Sequence, residues 1–246
     1  MAVGNIEFAP PIPPEMDGPE KADFSYDLFY DVMVNDGLLS RVNLPAALQS
    51  SARDGIALSA QRIADYSLLP MRIPPRIPKV TQFGWAEGFG GSAGSRSVPK
   101  RYSDGRFYRI YLNAPLAIGL VYRGSPQAVV AFNIFEGTEL FLRQIQGVRS
   151  SIEPYPLSKD DIRGSRGLAL FRYPELMVRI VEEFAANVGM ESVVIKPACK
   201  VVESDLNPDI SFEAAQKNYD QPARALGYRL DSDQLWRKDL GATDSW

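Results

Sequence analysis

The chain of 246 residues contains no histidine, and that absence removes more chemistry than any single motif supplies. Catalytic triads built on histidine, and metal sites that use it, are excluded within the chain. Proton transfer must fall to Asp, Glu, Tyr, Lys, Cys or water. The single cysteine, Cys199, rules out an intrachain disulfide. A free cysteine commonly behaves as a small hydrophobe, so Cys199 is expected to be a buried, inert thiol. A magnesium or calcium site made of carboxylates alone stays open, but no EF-hand loop occurs, and no metal site is assigned.

Charge is distributed unevenly although the net value is only −3. Residues 1–40 carry eight acidic side chains against Lys21 alone. Residues 72–109 carry eight basic side chains (Arg72, Arg76, Lys79, Arg96, Lys100, Arg101, Arg106 and Arg109) against Glu87 and Asp104. Such asymmetry marks interaction surfaces. Phe83, Trp85, Phe89 and Tyr102 interleave with the basic run, and a single-strand nucleic-acid groove uses those residue types. The alternative is a long loop with solvated charges and packed aromatics.

Chemistry of either kind needs elements to hold it. The length allows a sizeable core, and one domain with appendages is the natural expectation. No stretch reaches the roughly 20 apolar residues of a membrane span. The N-terminus has no positive n-region and no apolar h-region, so it is not read as a secretory signal, and a cytoplasmic protein is expected. Residues 1–22, with prolines at 10, 11, 13, 14 and 19, form an acidic extended arm or solvated tail.

Residues 23–105 read as helices followed by a long basic loop. The spacing of Phe24, Leu28 and Val32 predicts a short helix over 24–34, stopped by Asn35-Asp36-Gly37. Leu48, Ala52, Ile56 and Ile63 form a stripe that predicts one helix over 45–67, weakened at Gly55 by about 1 kcal/mol relative to Ala. Residues 70–105 read as irregular, with a PPII-like PMRIPPRIPK and the glycine-rich GWAEGFGGSAGSRS.

From residue 106 to 246 the texture becomes α/β. RFYRIYL (106–112), LAIGLVYRG (116–124), QAVVAFNIFEG (127–137) and ELFLRQIQGV (139–148) are β-branched and aromatic runs separated by short turn signals, as in an antiparallel meander. Leu176, Met177, Ile180, Val181, Phe184 and Val188 give one face of a helix over 173–188, with Pro174 in its first turn and Gly189 at C′. ESVVIKPA then reads as a central parallel strand, which makes a right-handed βαβ crossover with ELFLRQIQGV. SFEAAQKNYDQPARAL is a second helical region disturbed by Pro222. GYRL and QLWRKDL form a closing hairpin around Asp231-Ser232-Asp233.

Three antiparallel strands, loop, helix, strand, helix and hairpin is an order similar to that of the GCN5-related N-acetyltransferases (GNAT), and ARALGYRLDSDQLWRKDL resembles the end of that family's fold. The resemblance covers about residues 116–240. It implies a GNAT-like mixed sheet with an N-terminal helical and irregular extension. It also implies acetyl-CoA or another acyl-CoA as co-substrate, and an amine as acyl acceptor. By the same resemblance the backbone of Gln146, Gly147 and Val148 would pair with the pantetheine arm and hold an oxyanion. GSRGLA (164–169) would be the pyrophosphate loop, with Gly167 and Ala169 at its small positions, Gly164 where the family has Gln or Arg, and Arg163 and Arg166 flanking. Backbone amides at a helix start suit a diphosphate.

The family's proton-donating tyrosine falls on Ala223, and Tyr219, one turn earlier, is the candidate in its place. Glu136 and Glu139, beside the third turn, and Glu153 in the loop are candidate general bases acting through water. Three functions are therefore open: a divergent acyl-CoA-dependent N-acyltransferase, a non-catalytic GNAT-fold binding or structural protein with a protein partner, and a nucleic-acid-associated factor using residues 72–109.

Overall fold

A computed structural model describes residues 26–72, 84–85, 100–101, 107–109, 111–112, 114–135, 138–151, 168–203 and 210–241. The chain enters through helix α1 (Tyr26–Asn35) and a 3-10 turn (Leu38–Arg41). Gly37, at φ 62°, makes the left-handed turn between them. Helix α2 (Leu44–Ser51) starts at Asn43, whose side chain accepts the amide of Ala46.

The single helix expected over 45–67 is interrupted. Residues 52–59 leave the helix with Gly55 at φ 79°, and helix α3 (Ala60–Ala64) restarts under a Ser59 cap that accepts the amide of Arg62. Ala52 bridges to Phe171 and the amide of Arg53 donates to the Leu170 carbonyl, so tertiary contacts replace helical ones there. The end of the expected helix and the start of the expected irregular loop instead form strand β1 (Tyr66–Arg72). Pro70 is tolerated because β1 is an edge strand with, among the described residues, only β6 beside it.

Short strands β2 (Gly84–Trp85), β3 (Lys100–Arg101), β4 (Phe107–Arg109) and β5 (Tyr111–Leu112) follow. RFYRIYL is thus divided. Its two pieces pair with β3, with β2 and with β9 (Arg149–Ser151), outside the main sheet. Strands β6 (Leu116–Tyr122), β7 (Ser125–Phe135) and β8 (Glu139–Gly147) form the expected antiparallel meander. Helix α4 (Tyr173–Asn187) crosses over to β10 (Ser192–Ile195), which runs parallel to β8. Helix α5 (Ala198–Glu203), helix α6 (Phe212–Ala215), a π turn (Gln216–Asp220) and helix α7 (Gln221–Ala225) lead to the hairpin of β11 (Arg229–Leu230) and β12 (Trp236–Asp239). The main sheet is mixed and seven-stranded, in the order β1-β6-β7-β8-β10-β12-β11. It begins at Tyr66, well before the boundary expected at residue 106.

Alternation explains why the meander reads as nearly continuous apolar sequence. Leu116, Ile118, Val130, Phe132, Leu140 and Leu142 point to one core, and Ala117, Val129 and Ala131 point to a second on the opposite face with Met71 and Leu112. Helix α4 covers the first face. Phe184 packs on Phe132 at 5.9 Å and edge-on to Phe29 at 6.2 Å. Each fully buried large side chain on α4 contributes about 1.5–3 kcal/mol, and Phe184→Ala would cost about 3–5 kcal/mol. Gly189, at φ 77°, ends the helix as expected at C′.

The proline expected to disturb the second helical region is accommodated. Pro222 lacks an amide hydrogen, and the preceding turn widens to π geometry before α7 takes over. Cys199 is exposed on α5, contrary to the expected buried thiol. No described helix is long and apolar enough to cross a membrane.

Candidate functional site

The parallel pair β8 and β10 is bonded for only four residues, from Glu139↔Ser192 to Leu142↔Ile195. Two local features then separate the strands. On β8, Arg143 is an extra residue, because Ala131 pairs with Gln144 while Phe132 pairs with Leu142; such a bulge bends its strand and increases the local twist. On β10, Lys196-Pro197 ends the ladder and the backbone turns into α5. The buried Asp220 carboxylate fixes that turn by accepting the amide of Ala198 at 2.9 Å and the indole N–H of Trp236 at 2.9 Å. β8 continues to Gly147 paired with β7, and among the described residues its edge toward β10 has no further strand partner.

Two tyrosines stand at that edge. The amide of Ile145 donates to the Tyr219 hydroxyl at 3.2 Å. The Tyr173 ring lies beside Gly147, and its hydroxyl donates to Asn218 Oδ1 at 3.2 Å. The intervening residue faces the other way: Gln146 pairs with Val129, and the Val148 amide donates to Gln127 at 2.8 Å. Two amides of an extended strand therefore point into the cleft, about 7 Å apart. Leu168 and Tyr173 stand over Gly147 at ordinary van der Waals distance. A Cβ there would stand 3.7 Å from Leu168 Cδ1 and 4.0 Å from Tyr173 Cζ.

The two phenols differ in setting. Tyr219 is fully enclosed on the π turn, and burial pushes its phenol up to about 12 against the opposing pull of the Ile145 amide. Tyr173 is half-buried at the first position of α4, and burial raises its phenol too, with the Gly147 amide acting the other way. Both are protonated at neutral pH.

The other expected site residues are scattered. Glu139 lies at the opposite end of β8 from Gly147, roughly 25 Å away at the usual rise of a strand. Its carboxylate pairs with Arg237 and accepts from the Ser192 hydroxyl at 3.2 Å. Gln146 accepts from the Gln144 side chain. Ala169 is exposed in the turn before α4, and Arg172 rather than a small polar residue stands at the N-cap. Arg172 is engaged with Asp54 at 3.4 Å and Glu175 at 3.2 Å. Ala223, at the position of the family's tyrosine, is buried on α7. Glu136, Glu153, Arg163, Gly164, Arg166 and Gly167 lie outside the described residues, as does most of the basic segment.

Tyr173, Asn218 and Asp220 were not singled out by sequence reasoning. The signal for two of them is the polar run Asn218-Tyr219-Asp220 just ahead of a helix-interrupting proline. Among the described residues no group of three or more Cys, Asp or Glu is placed to hold a metal ion. No protein-family model matches the chain, and no curated protein matches its sequence.

Proposed function

We propose that this chain is a divergent acyl-CoA-dependent N-acyltransferase of the GNAT type, moving an acyl group from a thioester to an amine. The observation that carries the reading is the parting of β8 and β10 beyond Leu142 and Ile195, which leaves the Ile145 and Gly147 amides directed away from β7 and not paired with β10. A pantetheine arm is an extended chain with two amide groups, and it suits an unpaired strand edge as a peptide does in β-strand addition. The meander, the βαβ crossover and the closing hairpin agree with the same reading. Bound acyl-CoA would supply the activated carbonyl. Backbone amides around Gln146–Val148 would bind its arm and steady the oxygen on which charge develops. Direct attack by the amine needs no histidine and no covalent intermediate.

A second reading is favoured by a specific observation. The Ile145 amide already has the enclosed Tyr219 as its acceptor, and Glu139 is committed to Arg237. A GNAT-fold protein that retained the cleft as a structural seam, without catalysis, has this arrangement.

Isothermal titration with acetyl-CoA and longer acyl-CoA thioesters separates the two. One stoichiometric site is expected, with release of free thiol when amines are supplied. Heat without thiol release leaves a binding protein, and the absence of heat with every thioester overturns the acyl-CoA reading.

A further inference from the structure

We propose that the groove between α2, α4 and the end of β12 binds an α-amino acid with an aliphatic side chain, whose carboxylate sits on Arg179. The site is separate from the parting of β8 and β10 and does not rest on the acyl-CoA reading. Asp239, which lines the groove, pairs with Ser192 at the start of β10, whereas the strands part beyond Ile195.

The groove has a volume of about 390 Å³, at the small end of the range for small-molecule sites. Helix α4 supplies Arg179, Glu182 and Glu183 to its wall. Their i, i+3 and i+4 spacing is the one at which an arginine pairs with a carboxylate along a helix. Neither carboxylate does so. Glu182 takes Lys238 Nζ at 3.0 Å, and Glu183 accepts the amide of Asn43 at 2.6 Å. Arg179 Nε is buried with no hydrogen-bond partner. A guanidinium stays charged and carries five donors, and a buried donor left unpaired keeps the full cost of its desolvation. A ligand carboxylate satisfies it, because its two oxygens match the planar fork.

The other lining residues narrow the ligand class. Lys238 and Glu182 neutralise each other, and Glu183 serves the start of α2. Arg179 and the exposed Asp239 are then the cation and the anion left over among the lining side chains. A ligand with one carboxylate and one ammonium complements both. A phosphate dianion would meet three carboxylates instead. Ala47, buried on α2, and Leu240 give the groove an apolar wall, which suits an aliphatic side chain.

The test is isothermal titration of L-leucine and L-valine into the full chain and into Arg179→Met and Asp239→Asn. Three further probes are 4-methylpentanoate, which lacks the ammonium, isopentylamine, which lacks the carboxylate, and inorganic phosphate. At least one of the two amino acids should bind at one site. Arg179→Met should weaken it about 10-fold or more, the equivalent of a charge-assisted hydrogen bond, and Asp239→Asn about 3- to 10-fold. Isopentylamine should bind about 10-fold or more weakly than leucine to the unaltered chain, and 4-methylpentanoate should bind Asp239→Asn and the unaltered chain alike. Arg179→Met keeps the apolar stem and removes an unpaired buried donor, so its urea midpoint without ligand should be unchanged or higher. A lower midpoint would mark a structural arginine and overturn the proposal. So would the absence of binding by both amino acids, equal binding by Arg179→Met, or tighter binding of phosphate than of leucine and valine.

Discussion

The amide of Ile145 on β8 donates to the hydroxyl of Tyr219 on the π turn at 3.2 Å, across 74 residues of sequence. This contact joins the free edge of the central strand to the second helical region. It also decides what Tyr219 does. A phenol enclosed by the core and raised to about 12 keeps its proton, and its acceptor capacity is occupied by a backbone amide. Tyr219 is therefore a seam between the second helical region and β8.

Tyr219→Phe should lower stability by about 1–3 kcal/mol, because a buried amide loses its acceptor while the ring still fills its space. Urea denaturation should show a lower midpoint with an unchanged slope. An unchanged midpoint would mean that water or another group serves the Ile145 amide.

Asp220 holds the other wall of the cleft. It accepts from Ala198 and Trp236 at 2.9 Å each and is only 7% exposed. Hydrogen bonds to a charged group contribute about 1.5–3 kcal/mol, so Asp220→Ala should cost about 3 kcal/mol or more, and Asp220→Asn, which keeps an acceptor, should cost less. Loss of the indole bond should shift the tryptophan fluorescence. Equal stability of the two variants would sink this account of the β10–α5 turn.

Glu139→Gln separates structure from catalysis. Its carboxylate serves Arg237 and Ser192 at the far end of β8. A half-exposed network of this kind is worth about 1 kcal/mol, so a modest loss of stability is expected, with acyl-CoA affinity and any thiol release unaltered. A loss of turnover at unchanged stability would return Glu139 to the candidate bases.

Much of this fold is legible along the chain, because its central elements are periodic. The turn between the first two strands of the meander falls on Arg123-Gly124, both at positive φ, and the expected turn residues Ser125-Pro126 begin β7 instead. The apolar face of α4 and the run ESVVIKPA announce themselves locally, and the structure has a helix and a strand in those places. The first strand does not. YSLLPMR carries a proline, follows a helical stripe and precedes a proline-rich run, and only pairing with β6 makes it a strand. The break at Gly55 is settled by contacts from residues 52 and 53 to Phe171 and Leu170, which no local pattern shows. The cleft is harder still. The Arg143 bulge is a mismatch between two strands, and Tyr173 meets Gly147 only because the crossover returns α4 to the end of β8. Local sequence records propensities, and these features are agreements between distant segments.

The enclosed phenols also set a pH dependence. Tyr219 and Tyr66 are raised by burial from 10 to about 12. Below pH 10 both folded and unfolded chains hold these protons, and the full stabilisation is present. Between about 10 and 12 the unfolded chain loses them while the folded chain keeps them, so unfolding releases protons and stability falls as pH rises. A gap of about two pH units corresponds to roughly 3 kcal/mol for Tyr219 alone. Lysines and arginines titrate in the same range, so the informative quantity is the difference between the unaltered chain and Tyr219→Phe. That variant lacks the ionising group and should lose less stability above pH 10. Its deficit at pH 8 should shrink steadily and approach zero near pH 12. Urea midpoints for both proteins at pH 8, 10 and 11.5 measure this. Parallel curves would show that the Tyr219 phenol titrates alike in the folded and unfolded chains, and would remove the enclosed seam between the π turn and β8.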